Sequence, residues 1–415
     1  MRSVEEQQAR IAAAAVAPRP VRVAIAEAQG LMCAEEVVTE RPLPGFDQAA
    51  IDGYAVRSVD VMGAGEDGEG GREVTLPVMA TIEAGARTPT RLQPKQAVRV
   101  QTGAPMPTLA DAVLPLRWTD GGENRIRVLR GVRSGAYVRR AGDDVQPGDV
   151  AVRAGTIIGP AQVGLLAAVG RERVLVHPRP RLSVISVGAE LVDISRTPGN
   201  GQVYDVNSYA LAAAGRDAGA EVTRVGIVDT DPKTFRDVVE GQVNRSEVVV
   251  IAGAVGGSAA ETVRSVLSEL GELEVTRVAM HPGSVQGFGQ LGRDGVPVFL
   301  LPANPVSALV VFEVMVRPLI RLSLGRRHPM RRIVRARTLS PIASMPGRTG
   351  YLRGQLLRDH DTGEYLVQVL GGGPGDSSHL LATLAEANCL VIVPPEVEQV
   401  RTGEAVDVAF LAQRG

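Results

Sequence analysis

The chain is poor in cysteine, lysine and aromatic residues. Cys33 and Cys389 are its only cysteines and lie far apart, which excludes a disulfide framework and a cysteine-based zinc site. Lys95 and Lys233 are its only lysines, the pattern a GC-rich genome gives. Aromatics make up 3% of a composition that is 44% hydrophobic, so the cores must be built from Val, Leu, Ile and Ala. A net charge of −1 with no basic stripe argues against a dedicated nucleic-acid binder. No stretch offers 18 unbroken apolar residues, and no basic flank precedes an apolar core at the start. The expectation is a soluble cytoplasmic protein without membrane insertion.

With 415 residues, more than one folding unit is expected. An amphipathic helix is predicted over roughly 4–16, then a short strand. Residues 42–140 are short β-rich runs broken by Gly and Pro, and Trp118 is expected to pack there. The polar stretch 62–73 reads as a solvated loop, and 143–178 as a strand, a Gly-Pro turn and a short apolar helix. At 181 strands begin to alternate with helices: RLSVISVG, NSYALAAAGRDAG, VTRVGIV, PKTFRDVVEGQV, EVVVIAG, AAETVRSVLSELG, VPVFLL. That order implies a doubly wound, largely parallel sheet over about 180–325. Asn207 or Ser208 is placed to cap the first of these helices. Asp231-Pro232 and Asn304-Pro305 read as N-cap plus first helical residue. The last 85 or so residues return to β-rich runs and suggest a small barrel or sandwich.

Such sheets bind ligands beyond the carboxyl ends of their strands. There the sequence carries VGAELVD, DTDP, AGAVGGSAAE, HPGSV and PANP. Glycine-rich turns and helix N-termini make anion cradles, and Glu190, Asp231 and Glu261 on the same rim offer oxygen ligands for magnesium. Each acid alone reads first as a cap or an exposed charge, and it is their sharing one rim that points to a site. GGGPGDSSHL at 371–380 has the look of a phosphate loop, but without lysine it reads as a turn capped by Ser377 or Ser378. His281 and His379 are isolated histidines rather than a metal pair.

The motifs IDGYAV (51–56), QTGAP (101–105), DAVL (111–114), SVGAEL (186–191), GQVYDVNS (201–208), HPGSV (281–285) and LPANPVSA (301–308) resemble, in order, those of the molybdopterin molybdenumtransferase family, bacterial MoeA and the gephyrin E domain. The resemblance implies an elongated four-part α/β chain and a homodimer. A linker domain would comprise 1–42 and 143–178, and a β-rich domain 43–142. A MogA-like molybdopterin-binding domain would span 179–326, and a barrel-like domain 327–415. It implies insertion of molybdate into adenylylated molybdopterin with magnesium and release of AMP. The site would lie between the doubly wound domain of one subunit and the DGYAV domain of the other. Carried over position by position, the catalytic set would be Asp52, Thr102, Glu190, Asp231 and Glu261. Asp52, Glu190 and Glu261 would stand at the magnesium or molybdate end. The cofactor would be held by Gly253, Gly256, Gly257, Ser258, Gly283, Ser284, Pro302, Asn304 and Pro305.

Departures fall within the same motifs. The family's Asn-Ser pair before the DGYAV strand is Gln48-Ala49. TGDEL is VGAEL, with Val187 and Ala189, and Asp-Asp-Pro is Thr230-Asp231-Pro232. In SGGVSVGxxD the second glycine is Ala254, the serine Gly256, the later glycine Ser258 and the aspartate Glu261. The lysines of KPGKP are His281 and Ser284, and the glycine of PGNP is Ala303. Losing two lysines removes about two charge-assisted contacts, each contributing ~1.5–3 kcal/mol. Ala254 and Ala303 add a Cβ where glycine lets backbone approach a ligand or take a positive φ. On these grounds the leading reading is a repurposed, gephyrin-like dimeric scaffold with no cofactor of its own. Its client would be a short peptide from a cytoskeletal protein, such as a tubulin-like division protein, or from a membrane receptor. The alternative is a working insertase in which arginines such as Arg264 or Arg277 replace the lysines. A third reading is molybdopterin storage without transfer.

Overall fold

A computed structural model of the chain describes residues 1–65, 72–88, 90–257, 259–371 and 381–411. Two compact units emerge, Arg22–Val176 and Met1–Val21 with His177–Gly415.

The first unit holds a five-stranded sheet in the order Ala112–Pro115, Gly53–Val56, Ala97–Val100, Val74–Ile82, Arg125–Val128. Tyr54, Leu76, Leu114 and Ile126 fill one of its cores. Trp118 packs on that core as expected, edge-on to Tyr137 with ring centroids 5.9 Å apart, and the Arg130 guanidinium lies 4.4 Å from its ring centre. Gly53 is required by packing, because a Cβ there would sit 2.3 Å from the Leu114 carbonyl oxygen. A separate small core around Cys33, Ile158, Leu166 and Val174 supports the apolar helix Pro160–Ala168.

The second unit contains the doubly wound sheet. Its elements are β1 (Arg181–Ser186), α1 (Asn207–Ala218), β2 (Glu221–Ile227), α2 (Pro232–Val243), β3 (Val248–Ala252), α3 (Ala259–Leu270), β4 (Gly271–Arg277), β5 (Val285–Leu291), β6 (Val296–Leu301), α4 (Pro305–Val311) and α5 (Arg317–Ser323). A π-helical turn, Phe312–Val316, joins α4 to α5. The strand order is β2-β1-β3-β6-β5-β4. The first four are parallel, as the strand–helix alternation predicts, while β5 and β4 are antiparallel additions. Valines and isoleucines of β1 and β3 are buried on both faces, the signature of a sheet covered by helices on each side.

The amino-terminal helix, Val4–Ala13, opens with a Ser3–Glu6 capping box. Sequence order places it with the linker domain, yet Val4, Ile11 and Ala14 are buried in the core shared with Leu319 and Ile320 of α5. Arg2 and Arg10 pair with Glu274 of β4. Downstream, Ile333–Thr338, Thr349–Arg358, Tyr365–Val369, Cys389–Val393 and Ala405–Phe410 close into a five-stranded barrel, since the second strand pairs with both the third and the fourth. Residues 372–380, hence His379 and the expected cap at Ser377 or Ser378, lie outside the described residues, as do six of the 62–73 loop. Among the described residues no helix is long and apolar enough to cross a membrane.

Candidate functional site at the strand ends

Parallel pairing brings the ends of β1, β2, β3 and β6 to one edge of the doubly wound sheet. Because β5 is antiparallel, with Gly287 opposite Leu300, its first residues reach the same edge. HPGSV therefore stands beside PANP. Gly283 has φ +87°, and a Cβ there would lie 2.2 Å from Val311 Cγ2 of α4. Glycine at this position is what lets the two signatures pack together.

Both expected Pro-linked caps form. The Asn304 Oδ1 accepts the Ser307 N–H at 3.0 Å, and the Asp231 Oδ2 accepts the Thr234 N–H at 3.0 Å and its hydroxyl at 2.9 Å. These bonds hold the Asp231 carboxyl below the usual aspartate range. The cap of α1 differs from expectation. Neither Asn207 nor Ser208 caps it; the buried Asp205 accepts the Ser208 N–H at 3.0 Å, the Ser208 hydroxyl, and the Ser186 hydroxyl at 2.8 Å. Asn207 is thereby freed for another task. Its Nδ2 donates to the Ala303 carbonyl at 2.8 Å, tying GQVYDVNS to PANP, while among the described residues its buried Oδ1 has no partner. Neither Asp205 nor Asn207 stands among the residues carried over from the family, although both lie inside a motif that pointed to them.

Gly253, with φ +87°, brings the end of β3 so close to β1 that a Cβ would lie 2.1 Å from the Val187 oxygen. Its N–H donates to the Leu301 carbonyl at 3.0 Å, so that N–H is spent on the sheet and is not open to a phosphate. Gly256 and Gly257 are exposed, with open space where a Cβ would stand. Ser258 lies outside the described residues.

The acids are dispersed. Asp52 and Thr102, both in the first unit, do come together: the Thr102 N–H (2.7 Å) and hydroxyl (2.8 Å) both donate to Asp52 Oδ1. The backbone bond first, then the hydroxyl, lowers the Asp52 pKa. In the second unit, Glu190 folds back so that its carboxylate lies 2.8 Å from where a Gly188 Cβ would be. Glu261, in the first turn of α3, lines an outward cleft of about 570 Å³ between α2 and α3 with Lys233, Arg236 and Glu269. Among the described residues no three His, Cys, Asp or Glu side chains stand close enough to hold a metal ion. Asp52, Glu190 and Glu261 thus form no ready-made magnesium cage within either unit.

Comparison with known proteins decides the family. The chain matches the MoeA N-terminal region (domains I and II) over residues 2–170, the probable molybdopterin binding domain over 183–322 and the MoeA C-terminal region (domain IV) over 335–411. This chain belongs to the MoeA family. It is 83% identical, over the full length of both chains, to molybdopterin molybdenumtransferase 1 of Mycobacterium tuberculosis. It is 38% identical to molybdopterin molybdenumtransferase 2 of that organism, covering 98% of this chain and 99% of the relative. The molybdopterin biosynthesis MoeA protein of Pyrococcus horikosii superposes with a TM-score of 0.83 at 31% identity, covering 98% of each chain.

Within the MoeA family frame, the departures separate into two kinds. Ala254 is fully buried and its methyl belongs to the core with Ile185, Val187 and Ile251. Neither Ala254 nor Ala303 has a positive φ. The expectation that these alanines crowd a ligand or strain the turn is therefore corrected for strain at both positions, and for crowding at Ala254. The lysine positions are different. Ser284 donates its hydroxyl to the Val278 carbonyl at 2.9 Å. His281 is half-buried, and burial, then Arg348 and Arg353, push its pKa down, so it is neutral at pH 7. Those arginines come from the barrel, because Met280–His281 pairs in parallel with Thr349–Gly350. One suggested substitute, Arg264, turns its Nε back to its own helix at the Ala260 carbonyl, 3.1 Å away. Nothing in the sequence near HPGSV signals the barrel arginines.

Proposed function

We propose that this chain is a molybdopterin molybdenumtransferase that inserts molybdate into adenylylated molybdopterin and releases AMP, as a cytoplasmic homodimer. The observation that carries this reading is the unstrained rim. Alanine at 254 and 303 leaves the backbone course intact, Asn207 still fastens the Ala303 carbonyl, and Asn304 still caps α4. The named relatives favour it over a scaffold. In this reading Asp52 stays ionised, with Thr102 fixing one carboxylate oxygen and leaving Oδ2 to face substrate. Magnesium, which commonly reaches such sites with substrate phosphates rather than in an all-protein cage, supplies charge neutralisation when bound. Glu190, Asp231 and Glu261 remain candidates for the doubly wound side. The exposed turn at 256–257, with the 283–285 turn, offers backbone N–H groups to phosphate.

One observation favours a second reading. Neither lysine position carries a cation, since His281 is neutral and the Ser284 hydroxyl is spent on Val278. A dimeric scaffold binding a short cytoskeletal or receptor peptide would need no cation at either position. The deciding experiment is AMP release from adenylylated molybdopterin with molybdate and magnesium, beside a competent MoeA. The transferase reading expects turnover within about tenfold of the control and a loss of about a hundredfold or more in Asp52→Ala. A folded dimer with no turnover overturns it in favour of the scaffold, and ligand retained without AMP release overturns it in favour of storage.

A further inference from the structure

Away from the strand ends, the carboxyl end of α5 gathers positive charge that the described residues do not fully neutralise. Arg317 and Arg321 are four residues apart, so α5 puts them on one face, and the chain returns with Arg326 and Arg331. The carboxylates acting on Arg317, Arg321 and Arg331 are Glu313, from the π turn, and Asp217, from α1. Arg331 takes most of both: its Nε and Nη2 meet Glu313 at 2.9 and 3.0 Å, and its Nη2 meets Asp217 at 2.7 Å. Arg317 is 7% exposed; its Nη1 donates to the Pro329 carbonyl at 3.1 Å and its Nε stands 3.7 Å from Glu313, too long for a hydrogen bond. Among the described residues the ion pairs of this group all belong to Arg317 and Arg331. Among the described residues, the buried Nε atoms of Arg317, Arg321 and Arg326 find no hydrogen-bond partner. Four guanidiniums against two carboxylates leave two positive charges and three idle donors.

A buried guanidinium donor without an acceptor is costly, because its desolvation is not offset by a hydrogen bond. The consequence is visible in the arginines themselves. Burial, then neighbouring guanidiniums, push the pKa of Arg317 and Arg321 down. Arg321 and Arg326 are only partly buried, so solvent and small solutes reach them. A guanidinium offers its Nε–Nη edge as a fork that matches two oxygens of an oxyanion.

We propose that Arg321 and Arg326, over the buried Arg317, form a binding site for a tetrahedral oxyanion carrying two charges, separate from the strand-end site. The anion would draw the two guanidiniums round so that their unpaired Nε edges meet its oxygens. Its two charges match the surplus that Glu313 and Asp217 leave.

Calorimetric titration of the purified full chain with sulfate, phosphate and molybdate at fixed ionic strength tests this. The expected result is one site per chain that all three occupy, weakened about tenfold or more in each of Arg321→Ala and Arg326→Ala and lost in the double variant. Arg321→Gln with Arg326→Gln, which keeps the volume, guards against misfolding and must lose the same site. Because a phosphate at the strand ends would also give heat, the site must persist in Asn207→Ala. Unchanged stoichiometry and affinity in the folded double variants overturn the proposal, as does loss of the site in Asn207→Ala alone.

Discussion

Gly253 and Ala254 are neighbours at the same strand end, yet the fold treats them in opposite ways. At 253 a side chain has nowhere to go: the Val187 oxygen is 2.1 Å from the place a Cβ would take, and φ is +87°. At 254 a methyl is welcome, buried among aliphatic neighbours with an ordinary φ. Gly283 belongs with Gly253, while Ala303, exposed rather than buried, shares with Ala254 only the ordinary φ. Glycines demanded by packing are still glycine, whereas alanine has entered where the chain holds it without strain. A substituted motif is therefore weak evidence of a lost site until the direction of each side chain is known.

Exchanging the two residues singly should give unequal losses. Gly253→Ala meets both a backbone oxygen and a disfavoured φ, and should destabilise the second unit by about 2–4 kcal/mol. Ala254→Gly deletes one buried methyl and loosens the unfolded chain, and should cost about 1–2 kcal/mol. Thermal or urea unfolding followed by a probe in the doubly wound domain reads both. Equal losses would mean that the rim does not distinguish the two positions.

That distinction marks the limit of what the sequence could show. The Asp231-Pro232 and Asn304-Pro305 caps were legible because a cap is a local bond spanning three residues. The alternation of strand and helix exposed the parallel sheet for the same reason: each period is carried by adjacent residues. Pairing partners are not local. That β5 and β4 run antiparallel, or that the amino-terminal helix buries Val4 and Ile11 against α5, depends on residues far apart in the chain. Asp205 takes the cap expected at Asn207 or Ser208 because the helix opens at Asn207, which leaves the Asp205 carboxylate, three residues before Ser208, as the group that reaches its N–H. In the site, the motifs pointed to the Asp52–Thr102 pair, but not to Arg348 beside His281, which depends on the barrel pairing with HPGSV.

His281 offers a finer division, between a position held by packing and one held by charge. Its folded pKa lies below the ordinary histidine value near 6.5. The unfolded chain therefore binds the proton more readily, and folding loses stability as pH falls through that value toward the folded pKa. Wild-type protein should lose unfolding midpoint between about pH 7 and pH 5 more steeply than His281→Gln, which keeps a polar side chain but cannot titrate. Parallel curves would show that His281 is not held neutral by burial and the two barrel arginines.

The smallest effect is expected where the fold is least involved. Asp52 is exposed, and its lowered pKa rests first on the Thr102 backbone N–H and then on the Thr102 hydroxyl. Thr102→Val removes the hydroxyl and leaves the N–H. The Asp52 carboxyl should then titrate higher, yet still below an ordinary aspartate, because the larger of the two contributions remains. Since the group is ionised above its folded pKa, the Asp52–Thr102 link is present at neutral pH and weakens only as pH falls through that value. Carbon-detected NMR titration of the Asp52 side chain follows this directly, with the unfolding midpoint as control. A pKa that returns fully to the ordinary value would mean that the hydroxyl, rather than the backbone turn at TGAP, fixes this carboxylate. A large loss of stability would place Asp52 with Gly253 among the residues the fold cannot release.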